Sequence, residues 1–232
     1  MSNPLFPQAT SAKAAVLWPG DTTLSDEGGY FITTNPYPGT AIATTSSVVD
    51  DGASAASTHA QFAPAAIIYN SASVTDPNAP SIYLRYIKLI INLVPAAASS
   101  WKYALRLDNV NRYSSGGLTL TPVNVNPASP RGTKAQVYFG AIVPTGLPSA
   151  NSKLVANGQV ANAVPTSLDQ WLFDATGGAG NTGGATSTVE TRVAPIVIPP
   201  GWSLSLEMWG PGNSSAPSWE FEIAHVERIS GQ

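Results

Sequence analysis

Two stretches near the C-terminus alternate apolar and polar side chains with the two-residue period of a β-strand. Trp202, Leu204, Leu206 and Met208 alternate with Ser203, Ser205 and Glu207, while Trp219, Phe221 and Ile223 alternate with Glu220, Glu222 and Ala224. Each run predicts a half-buried strand, and both apolar faces are expected in one core. The segment from Gly210 to Pro217 is dense in turn formers, so the pair reads as an antiparallel hairpin with a long loop. A third run, Ser99 to Leu107, places Trp101, Tyr103, Leu105 and Leu107 opposite Lys102, Ala104 and Arg106. A fourth, Ile82 to Val94, is rich in β-branched and aromatic residues and apolar on both faces, which predicts a central strand covered on both sides. Pro95 to Ala98 would turn the chain between the last two.

Weaker strand patterns lie at Ala12 to Trp18, Thr40 to Val49, Pro64 to Asn70, Lys134 to Val143, Ser167 to Phe173, Thr186 to Val193 and Ala194 to Ile198. After the last of these, Pro199-Pro200-Gly201 predicts a tight turn with positive φ at the glycine. Asn111 to Gly117 and Ala175 to Gly184 read as loops. No segment has a convincing long helical period, and Asp51 to Ala60 is too rich in Gly, Ser and Thr for more than a short helical turn. The 20 glycines and 20 prolines punctuate the whole chain instead of gathering in one linker. The expected fold is therefore all-β: an antiparallel β-sandwich spanning residues 21–232 as one domain, preceded by an extended arm and first strand at residues 1–20.

Composition changes what that sandwich is expected to do. Only 11% of the 232 residues are charged, against about 25% in an average soluble protein. Hydroxyls and amides cost far less to desolvate than unpaired ions, so such a surface suits being covered by a partner. A net charge of −3 gives no electrostatic reason to bind nucleic acid. Arg85, Lys88, Lys102, Arg106 and Arg112 cluster in sequence but are interleaved with apolar strand residues, and read as a solvated strand face. The opening residues lack the basic start and apolar run of a secretory signal, and the longest apolar region is interrupted by Arg85, Lys88 and Asn92, so neither export by that route nor a membrane span is expected. Met1, Pro4, Leu5, Phe6 and Pro7 belong to a tail with no means of packing on itself, which a neighbouring subunit, or else a groove of the same chain, is expected to hold.

Candidate chemistry is sparse. The chain has no cysteine and two histidines, His59 and His225. His225 shares the parity of Phe221 and Ile223 and reads as a packing residue; His59 lies in a small-residue loop. Glu207, Glu220 and Glu222 would approach one another across the C-terminal hairpin, as paired glycosidase carboxylates would, yet Glu220 and Glu222 share the face opposite Trp219 and Phe221, which reads as a solvated outer face. The glycine-rich run Gly177 to Gly184 is followed by neither a lysine nor a helix, as phosphate binding would require. Asp26-Glu27 and Asp50-Asp51 lack the ligand spacing of a calcium loop. No catalytic residue, cofactor or metal is expected. Aromatic residues near strand ends, including Trp18, Tyr30, Phe31, Tyr37, Trp171 and Trp209, are candidates for stacking on sugar rings. Trp18, Tyr37 and Trp209 are taken as the surface-binding candidates.

The C-terminal segments Ala194 to Leu206 and Trp219 to Arg228, together with Gly116-Gly117-Leu118-Thr119-Leu120-Thr121-Pro122-Val123-Asn124-Val125-Asn126, resemble phrases found in virion structural proteins of tailed bacteriophages. Those segments span 34 of the 232 residues. It implies a jelly-roll-like sandwich, often trimeric, that decorates a capsid or forms part of a tail or fibre, and it implies no catalytic residue. A capsid decoration or cement protein is the leading expectation, with the major capsid protein or other virion proteins and copies of itself as partners and the virion as its location. A tail or fibre module recognising host carbohydrate is the alternative.

Overall fold

The apolar alternation resolves into two sheets packed face to face. The computed structural model describes residues 24–36, 42–43, 49–50, 64–93, 101–146, 149–160, 170–174, 179–181, 196–211 and 218–229. The first sheet holds β1 (Tyr30–Thr34), β2 (Ile42–Ala43), β5 (Pro80–Leu93), β8 (Val123–Asn124), β11 (Gln170–Asp174), β12 (Ala179–Asn181), β13 (Val197–Ile198) and β15 (Ser218–Ile229). The second holds β3 (Val49–Asp50), β4 (Pro64–Asn70), β6 (Trp101–Asp108), β7 (Tyr113–Leu120), β9 (Ala135–Pro144), β10 (Lys153–Val160) and β14 (Ser203–Pro211).

Pairing is nested. β1 pairs with β15, β4 with β14, β5 with β11, and β6 with β10, all antiparallel. An antiparallel ribbon of four such pairs, rolled so that β15 also meets β5 and β14 also meets β6, gives the sheets β1-β15-β5-β11 and β4-β14-β6-β10. That is the strand order of a jelly roll, a β-sandwich of two Greek keys. Residues 109–152 are an insertion between β6 and β10. Its strands β9 and β7 extend the second sheet beyond β4, while β8 extends the first sheet beyond β1, so the insertion ties together the sheet edges on one side of the roll.

Inward side chains of both sheets fill the space between them. Ile82, Leu84, Ile87, Leu89, Trp219, Phe221 and Ile223 from the first sheet meet Ile68, Leu105, Val137, Phe139, Leu204, Leu206 and Met208 from the second. Phe139 and Phe221 stack across the interface with ring centroids 4.0 Å apart. At one end Asn70, fully buried, donates to the carbonyls of Pro80 and Ile198 at 2.9 and 3.0 Å and accepts from the Ala72 amide, joining β4 to both β5 and β13. Beside it the Pro199-Pro200-Gly201 turn closes as expected: Trp202 N donates to Pro199 O at 3.1 Å, and Gly201 has φ 76°.

Several expectations are corrected. β14 and β15 are not a hairpin; each pairs within a different sheet, and their apolar faces meet across the core. β5 and β6 likewise lie in opposite sheets, so the chain crosses the sandwich between them. β5 is central, but only one face is fully buried. A bulge at Arg85 shifts its inward parity from Leu89 and Ile87 to Leu84 and Ile82, leaving Tyr83, Tyr86 and Lys88 half-buried outside. Residues 113–117, read as loop, belong to β7, and residues 179–181 of the glycine-rich run form β12. β1, β8 and β10 lie outside the runs with strand periodicity. The runs Ala12 to Trp18 and Thr186 to Val193 lie outside the described residues, as do residues 1–20 assigned to the arm.

Candidate functional site

Three polar constellations stand on this frame. The first lies where β15 ends. The inward parity of Trp219, Phe221 and Ile223 continues through His225 to Glu227, so an imidazole and a carboxylate enter the interior. His225 stacks on Phe31 with centroids 5.4 Å apart. Glu227 Oε1 accepts from Thr133 Oγ1 at 2.5 Å, Lys134 N at 2.7 Å and Ala135 N at 3.1 Å, with His225 Nε2 at 3.5 Å. Burial raises the pKa of this carboxyl; the bonds from His225, Thr133 and the Lys134 amide, with the His225 charge, outweigh it and hold the group below the ordinary carboxylate range. The Glu227 main-chain carbonyl accepts from Arg131 Nη2 at 2.8 Å.

Hydroxyl, imidazole and carboxylate are all present here, but the hydroxyl donates to the carboxylate and the imidazole is fully buried. The trio has no exposed nucleophile beside its base. It pins residues 131–135 to β15. Over it opens a cleft of about 630 Å³ whose walls include Arg131, Lys134, Arg228, Glu27 and the apolar Leu24, Pro80 and Ile229.

The second constellation latches the insertion onto the outer face of the second sheet. Asp108 accepts from Ser149 N at 2.8 Å and lies 2.5 Å from Ser149 Oγ; Arg112 Nη1 donates to Gly146 O at 2.8 Å, and Thr145 N donates to Arg112 O. Arg106 Nε lies 3.1 Å from Glu207 Oε1. Burial raises the pKa of Glu207, and Arg106 and Arg112 only partly offset this. Beside the latch a second apolar cluster, Ile67, Tyr138 and Ile142, covers the sheet, with Tyr113 and Tyr138 stacked 3.5 Å apart. Arg106 and Arg112 are therefore anchors, not members of a solvated face.

The third lies on the outer face of the first sheet, where the Tyr86 hydroxyl donates to Glu222 and Tyr30 stands near the same carboxylate. Burial, the Glu222 bond and its charge push the Tyr86 hydroxyl above the ordinary tyrosine range; burial and the Glu222 charge raise Tyr30.

The glutamates considered together are far apart in role: Glu207 faces out from the second sheet, and Glu220 and Glu222 from the first. Of the sugar-stacking candidates, Phe31 is buried in the core and Tyr30 is half-buried beside Glu222. Met1, Pro4, Leu5, Phe6, Pro7, Trp18, Tyr37 and His59 lie outside the described residues, as do the side chains of Trp171 and Trp209. Arg131, Thr133, Lys134 and Glu227 were not singled out from the sequence. The parity of β15 carries the signal for Glu227; nothing local announces that residues 131–134 return to meet it. Among the described residues no group of three or more His, Cys, Asp or Glu is placed to hold a metal, and no helix is long and apolar enough to cross a membrane.

No protein-family model matches the chain, and no characterised protein does. Among solved structures it is similar to the unassembled KI polyomavirus VP1 pentamer, at 11% identity over 95% of this chain and 98% of that one, with a TM-score of 0.29. A score that low gives the likeness no bearing on function.

Proposed function

We propose that the chain is a virion structural protein, acting as a decoration or cement subunit on the capsid of a tailed phage. The observation that supports this reading best is the filled jelly roll. Trp219, Phe221, Phe139 and the aliphatic residues around them occupy the interior, which leaves edges, outer faces and loops as the working surface. That surface is poor in charge, and many small desolvated contacts spread over several neighbours hold a shell without one strong bond. Met1, Pro4, Leu5, Phe6 and Pro7 would reach a neighbour, and closed cyclic symmetry, with a trimer favoured, would multiply each contact. In this role the protein is non-catalytic and needs no cofactor.

Light scattering of the purified chain, followed by co-sedimentation with particles lacking it, tests the reading. Saturable binding at a fixed copy number is expected. A stable free oligomer that ignores the shell but binds cells or glycans overturns it. The second reading, a tail or fibre module recognising carbohydrate, is favoured by Tyr30 and Tyr86 standing beside the Glu222 carboxylate on one outer face, since aromatic rings with a nearby acceptor suit a sugar. Glycan binding lost in Tyr86→Ala would support it.

A further inference from the structure

In a chain with only 11 lysines and arginines, three of them, Arg131, Lys134 and Arg228, gather on the cleft above Glu227. Two carboxylates, Glu27 and Glu227, share the lining, and Arg228 has an interaction of its own, so Arg131 and Lys134 are the cations that matter here. Glu227 is 1% exposed, with Oε1 taken by Thr133 and two amides and Oε2 buried without a hydrogen-bond partner among the described residues. The same residue sets both nearby cations in place. Its main-chain carbonyl holds the Arg131 guanidinium, and its side chain fixes the backbone at Lys134. Arg131 thus spends one of five donors on a carbonyl, and neither its guanidinium nor the Lys134 ammonium meets a carboxylate among the described residues.

We propose that this cleft recognises a carboxylate side chain on a neighbouring polypeptide, with Arg131 and Lys134 as its partners. A guanidinium already held in place loses little freedom on binding and matches a carboxylate bidentately. Leu24, Pro80 and Ile229 offer apolar walls for the residue beside the acid. The exposed Glu27 on the rim and the net charge of −3 oppose polyphosphates and nucleic acid. That the partner is a polypeptide rests on the assembly reading; the charge and geometry of the site do not.

The test is amide chemical-shift titration of the full chain with acetyl-Leu-Asp-Leu-amide. Saturable shifts at Gly132, Lys134 and Arg228 are expected, with a dissociation constant on the order of 1 mM. Binding should weaken about tenfold or more for the Asn-centred peptide and in Arg131→Met and Lys134→Met. No partner of the Lys134 side chain lies among the described residues, so that variant keeps the test meaningful if Arg131→Met perturbs the loop. Equal response to the Asn peptide, no response at all, or phosphate or duplex DNA binding as tightly as the Asp peptide each overturn the inference. Peptide binding without particle binding sinks the assembly reading alone, and particle binding without peptide binding sinks this one.

Discussion

Acid should act on two buried carboxylates of this protein in opposite directions. Glu227 has its folded-state pKa depressed below the reference 4.5, so its contribution to stability is complete above that value and is lost as the pH falls through the lower folded value. Glu207 has its pKa raised by burial, so its ionisation opposes folding as the pH rises from 4.5 through the higher folded value. Urea unfolding of the wild type, Glu227→Gln and Glu207→Gln between acid and neutral pH separates the two. Glu227→Gln should cost about 3 kcal/mol at pH 7 and flatten the loss of stability below 4.5. Glu207→Gln should flatten the decline above it. In the core, Trp219 is fully buried against both sheets, and Trp219→Ala should cost on the order of 3 to 5 kcal/mol by denaturant titration. A negligible loss would contradict its inward placement.

At the scale of elements, β7 shows why loop-like sequence became strand. Ser114, Ser115, Gly116 and Gly117 have little strand propensity, but β9 supplies a paired edge, and the two glycines absorb bulges at φ 76° and 63°. A Cβ on Gly117 would sit 2.8 Å from Phe139 O. Gly117→Ala should therefore cost about 1 to 3 kcal/mol, and hydrogen exchange of β7 amides should accelerate while β5 and β15 stay protected. The same logic explains Arg112. Its charge and sequence neighbours suggested solvent, but the returning Thr145 and Gly146 offer it their carbonyls. β14 and β15 failed as a hairpin for a related reason: alternation reports which face of a strand is buried, and two strands facing each other across a core alternate just as two neighbours in one sheet do.

For the whole molecule, nesting β1 with β15 and β4 with β14 means the roll closes only when the chain's distant parts meet. Residues 1–10 precede every described strand of the roll, so deleting Met1 to Thr10 should leave a folded β protein, visible as unchanged far-ultraviolet circular dichroism and cooperative unfolding. On the assembly reading, the same deletion should abolish docking to particles; docking that survives rules out the arm as its contact. Phe139, Phe221 and Trp219 keep the two sheets together from within.

The sequence by itself determined the strands with strong alternation, β5, β6, β14 and β15, the inward faces of the last three, the Pro-Pro-Gly turn and a surface short of charge. Period and turn chemistry are local, so they survive without knowledge of the partner strand. Tertiary structure alone decided the strand order, the bulge that turns β5 at Arg85, the insertion that crosses between the sheets, and the meeting of Arg131 and Lys134 with Glu227. Each of these joins residues far apart along the chain, and the backbone hydrogen bonds that specify such pairings are the same for every side chain.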